Sequence, residues 1–188
     1  MNSFYDKTFD KQDFTQIQFE KGEYENCVFN NCIFSKVDFK NSIFRDCIFN
    51  YCDVSIALTH NTTFSDTQFN NCKLLGIEWS NCNKFLFSVS FQDCILKMSV
   101  FYQLKLKKTT FKNCNLQEVD FTECDLSDSL FDNCDLLLAT FDRTNLEKAT
   151  FITSINYQFD PEKNKIKKAK FSAQGALGLL AKYQIEIV

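Results

Sequence analysis

The 188-residue chain holds four glycines, one proline and one histidine. So little Gly and Pro excludes an all-β fold that reverses through ordinary hairpins, whose turns need residues tolerant of positive φ or preset for it. One histidine, His60, cannot complete the usual zinc sets, and no CxxC pair occurs. There is no G-x-G-x-x-G, no P-loop and no nucleophile–base constellation. These gaps argue against an enzyme and predict no catalytic residues, no metal and no cofactor. No apolar run approaches the ~20 residues of a membrane span. The first residues, Met1 to Phe14, have neither a basic start nor an apolar core, so no signal peptide is expected. A pI of about 5.2 disfavours direct binding to nucleic acid.

What the chain does have is 22 phenylalanines and 10 cysteines, placed by a rule. Every fifth residue from Phe111 is large and apolar: Phe111, Leu116, Phe121, Leu126, Phe131, Leu136, Phe141, Leu146, Phe151. Two places before each stands a small residue, such as Cys114, Val119, Cys124 or Ser129. The other three places are mostly polar. A period of five fits neither a helix nor a strand. It fits a square coil in which each five residues make one side, the large and small residues point inward, and successive turns pair about 4.8 Å apart. Every cysteine sits at the small position, Cys27 and Cys47 as much as Cys114 and Cys134, where it replaces Ala or Ser. Cys32 and Cys52, like Cys114 and Cys134, stack one coil apart, within possible bridging range. So many paired-looking thiols suit a reducing cytoplasm.

The pattern has predicted irregularities. Phe4, Phe9, Phe14 and Phe19 are in register, but Asn2, Lys7, Gln12 and Ile17 stand at the small positions, as in a capping or partly frayed coil. Residues 55–61 are candidates to bulge, with His60 on the surface. Twelve residues separate the centres Trp79 and Phe91, so two are inserted within 80–90. Phe85, Leu86 and Phe87 cannot all point inward. The segment Lys84, Phe85, Leu86, Phe87 is therefore either a corner bulge or a partner-binding loop. Leu104 is large at a small position. Asn156 ends the run, dividing the chain into a shaft (1–156) and a tail (157–188). The tail reads as a lysine-bearing linker (157–170), an N-cap at Ser172, a helix over 173–183, and a short strand over 185–188. Ala173, Ala176, Leu177, Leu180 and Tyr183 form its apolar face.

Charge is unevenly placed. Residues 1–60 carry −3, 61–112 carry +4, 113–160 carry −8 and 161–188 carry +4. The acids of the third block that lie on the repeat are Glu118, Asp120, Glu123, Asp125, Asp128, Asp132, Asp135, Asp142 and Glu147, all at outward positions. Forty-eight residues of coil rise ~12 Å, over which duplex DNA carries about seven charges. The shaft's basic patch is Lys105, Lys107, Lys108 and Lys112.

Residues 112–155 resemble the pentapeptide-repeat family, whose unit is a small residue, a polar one, Leu or Phe, and two polar ones. The resemblance implies a right-handed quadrilateral β-helix, so the fold expected is an all-β solenoid with a short C-terminal α-helix. The tail from Asp160 to Val188, with Leu179–Leu180 running into Ile185, is similar to the C-terminal module of the topoisomerase-protecting group, which includes the Qnr quinolone-resistance proteins, MfpA and McbG. The stretch Leu74 to Trp79 resembles a Qnr segment. That narrower resemblance implies a cytoplasmic homodimer joined by the C-terminal helix. It also implies a DNA-mimicking rod that binds DNA gyrase or topoisomerase IV and modulates it or protects it from quinolones or a peptide toxin. The alternative is a non-enzymatic interaction scaffold with an unidentified protein partner.

Overall fold

The computed structural model describes residues 2–186. Eleven short strands occur among them: β1 (Asn2–Tyr5), β2 (Thr8–Asp10), β3 (Gly22–Glu25), β4 (Val28–Asn30), β5 (Ile43–Arg45), β6 (Ile48–Asn50), β7 (Thr63–Ser65), β8 (Thr67–Asn70), β9 (Val89–Gln92), β10 (Thr110–Lys112) and β11 (Leu130–Asp132). All pairings are parallel. β1, β3, β5 and β7 form one sheet, and β2, β4, β6, β8, β9, β10 and β11 form another. The partners lie 20 residues apart, as in Phe29↔Phe49. The other two sides are held by single parallel bridges at the same spacing, such as Asp120↔Thr140 and Asn115↔Asp135. The chain is a four-sided β-solenoid, as the period of five requires.

Four columns of centre residues define four faces. Face 1 runs from Phe4 through Tyr24, Phe44 and Phe64 to Leu106, Leu126, Leu146 and Ile166. Face 2 begins at Phe9, face 3 at Phe14 and face 4 at Phe19. Face 2 carries nine phenylalanines in one stack: Phe9, Phe29, Phe49, Phe69, Phe91, Phe111, Phe131, Phe151 and Phe171. Their neighbouring ring centroids lie between 4.5 and 5.6 Å apart, and their planes are within 19° of parallel. Edge-to-face contacts join this stack to face 4, as between Phe131 and Phe121. Both arrangements suit the ring quadrupole.

The scarcity of glycine is explained at the corners. The residue two places after a centre has positive φ along nearly the whole shaft, from Asp6 and Lys11 to Lys168. Asn and Asp tolerate this left-handed conformation best after glycine, and Asn26, Asn31, Asn41, Asp46, Asn61 and Asp66 supply it.

Several expectations are corrected. Of the two forms expected for the first coil, the frayed one is excluded and the capping one remains: Asn2 to Tyr5 pair in register with Gly22 to Glu25, and Lys7 turns outward to lie 5.1 Å over the Phe4 ring. Residues 55–61 do not bulge. Val54, Ala57 and Thr59 are buried, and Leu58 keeps its bridge to Asp38. Leu104 stays in register at 1% exposure. The two-residue insertion is present, since Phe69 pairs with Phe91. Phe87 turns inward beside Trp79, with ring centroids 6.2 Å apart, leaving Phe85 and Leu86 outside.

The largest correction concerns the tail. The coil does not stop at Asn156, and 157–170 is not a free linker. Lys165 bridges to Asn145, Lys170 bridges to Thr150, and Phe171 stacks on Phe151. Tyr157 and Phe159 are buried, and Asn164 takes a small position with its Nδ2 donating to the Phe141 carbonyl. Ser172 caps the helix as expected, its Oγ accepting from Gly175 N at 3.0 Å. That helix is α over Ala173–Ala176 and 3₁₀ over Leu177–Tyr183. Gly175 and Gly178 face the shaft: a Cβ on Gly178 would lie 2.0 Å from the Tyr157 carbonyl oxygen. Ile185 and Glu186 are not in a strand, and the rest of the predicted strand, 187–188, lies outside the described residues. No described helix is long and apolar enough to cross a membrane.

Candidate protein-binding faces

The nine outward acids are all at least partly exposed, but they do not form one surface. A side changes every five residues, so a charge count along the chain wraps all four faces. Face 4 takes Asp120, Glu123 and Asp142. Face 1 takes Asp125, Asp128 and Glu147. Face 3 takes Glu118 and Asp135, and face 2 takes Asp132. The net −8 of this block is therefore spread around the shaft, and the continuous acidic belt read from the sequence is corrected to one acidic face.

That face is face 4. It gains Glu78, bridged two coils above Asp120 through Val100, and Asp160 and Glu162 in the last coil, which Asn164 and Lys165 tie to Thr144 and Asn145. Reading charges at intervals of 20 residues, and 22 across the insertion, would have found these three from sequence. From Glu78 to Asp160 is ~19 Å, where a duplex carries about eleven charges; face 4 carries six acids against Arg143, Lys163 and Lys182, the last paired with Asp160 and Glu162. Glu123 is the best-held carboxylate, accepting from Gln103 Nε2 at 2.7 Å and Arg143 Nη2 at 2.8 Å. The Gln103 hydrogen bond, then the Arg143 guanidinium, hold it below the usual glutamate range. Asp142 pairs with Arg143 at 2.8 Å. Asp120 accepts from Thr122 N at 2.8 Å.

Face 1 is different. Lys165 and Lys105 stand in one file with Asp125 and Asn145 between them. Lys107, Lys108, Lys148, Lys167 and Lys168 flank that file, so the lysines of the supposed linker align with the basic patch of the shaft. Face 2 is nearly neutral, with asparagine ladders: Asn50 donates to Asn30 and Asn70 to Asn50 at 2.9 and 3.0 Å. Face 3 carries exposed apolar groups, among them Leu137, Leu138 and Ile155.

Of the candidate loop, Phe85 is 75% exposed and Leu86 61%, and Lys84 is exposed, whereas Phe87 belongs to the core at 8%. On the C-terminal helix Leu177, Leu180 and Tyr183 are exposed and Ala173 lies open, with Ala176 half-buried; Leu179 packs on the core instead. Lys182 ties the helix to the shaft through Asp160 at 2.7 Å and Glu162 at 2.8 Å. Its ammonium holds the Asp160 carboxyl below the usual range.

The ten cysteines are free and buried. Six of them, Cys32, Cys52, Cys72, Cys94, Cys114 and Cys134, stand in one file, each thiol donating to the carbonyl of a core residue one coil earlier, as Cys52 to Phe29. Burial pushes Cys47 and Cys124 up to about 12. Among the described residues no group of three or more His, Cys, Asp or Glu is placed to hold a metal ion.

Comparison with curated protein sequences finds no match. Among solved structures the chain is similar to full-length QnrB1, a plasmid-mediated fluoroquinolone resistance protein, with 17% identity and a TM-score of 0.58 over 98% of this chain and 100% of that one. It is also similar to HetL, a pentapeptide repeat protein involved in heterocyst differentiation regulation in the cyanobacterium Nostoc sp. strain PCC 7120, at 11% identity and a TM-score of 0.42, over 92% of this chain and 87% of that one. The family profile for the pentapeptide repeat region matches residues 23–85 and 84–171, so this chain belongs to the pentapeptide-repeat family.

Proposed function

We propose that this protein is a non-enzymatic, cytoplasmic modulator of a type II topoisomerase, DNA gyrase or topoisomerase IV, and protects it from a quinolone or a peptide toxin. The observation that carries the reading is face 4: Glu78, Asp120, Glu123, Asp142, Asp160 and Glu162 on one side of a rigid rod. Six acids less Arg143, Lys163 and Lys182 leave this side a net −3, about a quarter of the charge of a duplex of that length, and an acidic side of a rod suits a groove built for DNA. QnrB1, which shares the fold over 98% of this chain and 100% of its own, is a fluoroquinolone resistance protein. In this reading the exposed side of the C-terminal helix, Leu177, Leu180 and Tyr183, joins two chains end to end and doubles the acidic face.

The test is gyrase supercoiling with protein titrated in, with and without a quinolone, at two salt concentrations. Inhibition or drug rescue that fades with salt is expected. Reversal of Asp120, Glu123 and Asp142 together should raise the protein needed at least tenfold, a loss of ~1.4 kcal/mol. The same reversal of Glu118 and Asp132, on other faces, should change little. Equal effects from both sets would refute a face-specific contact.

A second reading, a scaffold for another protein, is favoured by Phe85 and Leu86, two large apolar groups held in solvent by a rigid coil. Substituting both with serine should then abolish partner capture while the face 4 reversals do not.

A further inference from the structure

Face 1 has a charge pattern that complements itself. Its rungs can be counted from the rung carrying Phe4 to the rung carrying Ile166, and the inserted segment with Phe85 and Leu86 lies in the middle, with four rungs on either side. The half before the insertion is acidic: Asp6, then Glu23 and Glu25, then Asp46, then Asp66, against Arg45 alone. The half after it is dominated by lysine. A two-fold axis through the central rung, with two chains antiparallel, would lay each rung on its mirror partner. Asp66 on the fourth rung then meets Lys105, Lys107 and Lys108 on the sixth. Arg45 and Asp46 on the third, a neutral rung whose arginine already pairs with Glu23 and Glu25 of its own chain, lie against Asp125 and Asp128 on the seventh, so the attraction comes from the other rungs. Glu23 and Glu25 meet a neutral rung with Glu147 and Lys148. Asp6 meets Lys165, Lys167 and Lys168. At the axis Phe85 and Leu86 meet their own copies, with Lys84 beside them. An apolar centre with a charged rim is the usual anatomy of an interface, and a two-fold contact uses the same patch twice.

We infer that face 1 pairs with face 1 of a second copy of this chain, side by side and antiparallel. The inference is independent of the topoisomerase reading, because face 4 stays open, and of the end-to-end helix contact, because the two surfaces are separate. The face is roughly 40 Å by 15 Å from its rungs and side chains, which would remove ~1,200 Å² in all, the lower end for a specific complex. Exposed charge pairs are screened by salt, so the contact is weak and salt-sensitive. Joined to the helix contact, it would link rods into larger assemblies rather than a closed dimer.

The experiment places a thiol at the axis. All native cysteines are buried, so the full-length Phe85→Cys variant presents one reactive thiol. With diamide at 50 mM NaCl it should yield a disulfide-linked dimer, with the yield falling several-fold at 500 mM. In that background, Lys107→Asp alone and Asp66→Lys alone should each lower the yield several-fold, and the two together should restore it, because the swap keeps the rungs complementary. Adding Leu180→Asp should leave the yield unchanged. No cross-link, a double swap no better than the singles, or loss of the cross-link with Leu180→Asp would each overturn the proposal. Sedimentation velocity of the single and double swaps without oxidant gives the same comparison for non-covalent association.

Discussion

Phe131→Ala tests whether the phenylalanine stack holds the shaft together. Phe131 is fully buried. Its ring stacks on Phe111 at 5.0 Å and Phe151 at 4.5 Å and meets Phe121 and Phe141 edge-on at 5.9 and 6.3 Å. Truncation removes about 2–3 kcal/mol of transfer free energy and leaves a cavity the neighbouring rungs cannot close, because their backbones are pinned by pairing on both sides. Measured Phe→Ala changes at such sites run ~3–5 kcal/mol. Each lost stack is worth ~0.5–1.5 kcal/mol of that total. The assay is urea unfolding followed by far-UV circular dichroism and by the fluorescence of Trp79, the single tryptophan, itself buried and stacked on Phe101 at 5.7 Å. A loss of ~4 kcal/mol moves the midpoint by roughly 1–2 M, given a slope of ~3 kcal/mol per M. Because contacts in a solenoid reach only to the next coil, the dichroism should fall before the tryptophan signal in this variant, while the parent shows both together. Phe85→Ala, at an exposed ring, should change stability by no more than ~0.5 kcal/mol. A Phe131→Ala loss below ~1 kcal/mol would refute the account of the core.

Three further outcomes are expected. Ile56 is a β-branched residue at φ 56°, half-exposed at a corner, and the left-handed conformation costs such a residue ~1–2 kcal/mol; Ile56→Asn should therefore raise stability by about 1 kcal/mol in the same urea assay. Gly178→Ala should improve helix propensity by ~1 kcal/mol yet release the C-terminal helix, because the new methyl meets the Tyr157 carbonyl at 2.0 Å; hydrogen exchange over 177–183 should rise while the shaft stays protected. The lowered Asp160 and Glu162 carboxyls, each held first by Lys182, contribute docking that is present above their unfolded values of ~4 and is lost as pH falls through their folded values. Protection of the helix should therefore fade below about pH 4, and Lys182→Ala should remove that pH dependence.

Much of the shaft was legible because the inward set is locally encoded. Cys124 and Leu126 point inward for the same reason as Cys114 and Leu116, and no distant contact is needed to know it. The final coil was misread because its markers are disguised. Tyr157 fills the shaft off the five-residue beat, Phe159 is large and Asn164 polar at small positions, and Pro161 with the lysines of 163–170 looked like a solvated linker. Gly175 and Gly178 looked like weak points in a helix, since nothing local announces that Tyr157 will lie against them.

The candidate faces were the least legible part. The nine acids were correctly read as outward, yet they divide among four sides, and Lys165 stands in file with Lys105, sixty positions earlier. Which residues point in and which point out was determined by the sequence itself, because a period of five with a small and a large member sets each residue's direction from its own neighbours. Which outward residues become neighbours was decided only by the tertiary structure. Adjacent positions on a face are twenty residues apart along the chain, and the two-residue insertion and the disguised last coil set how the two halves of the rod line up.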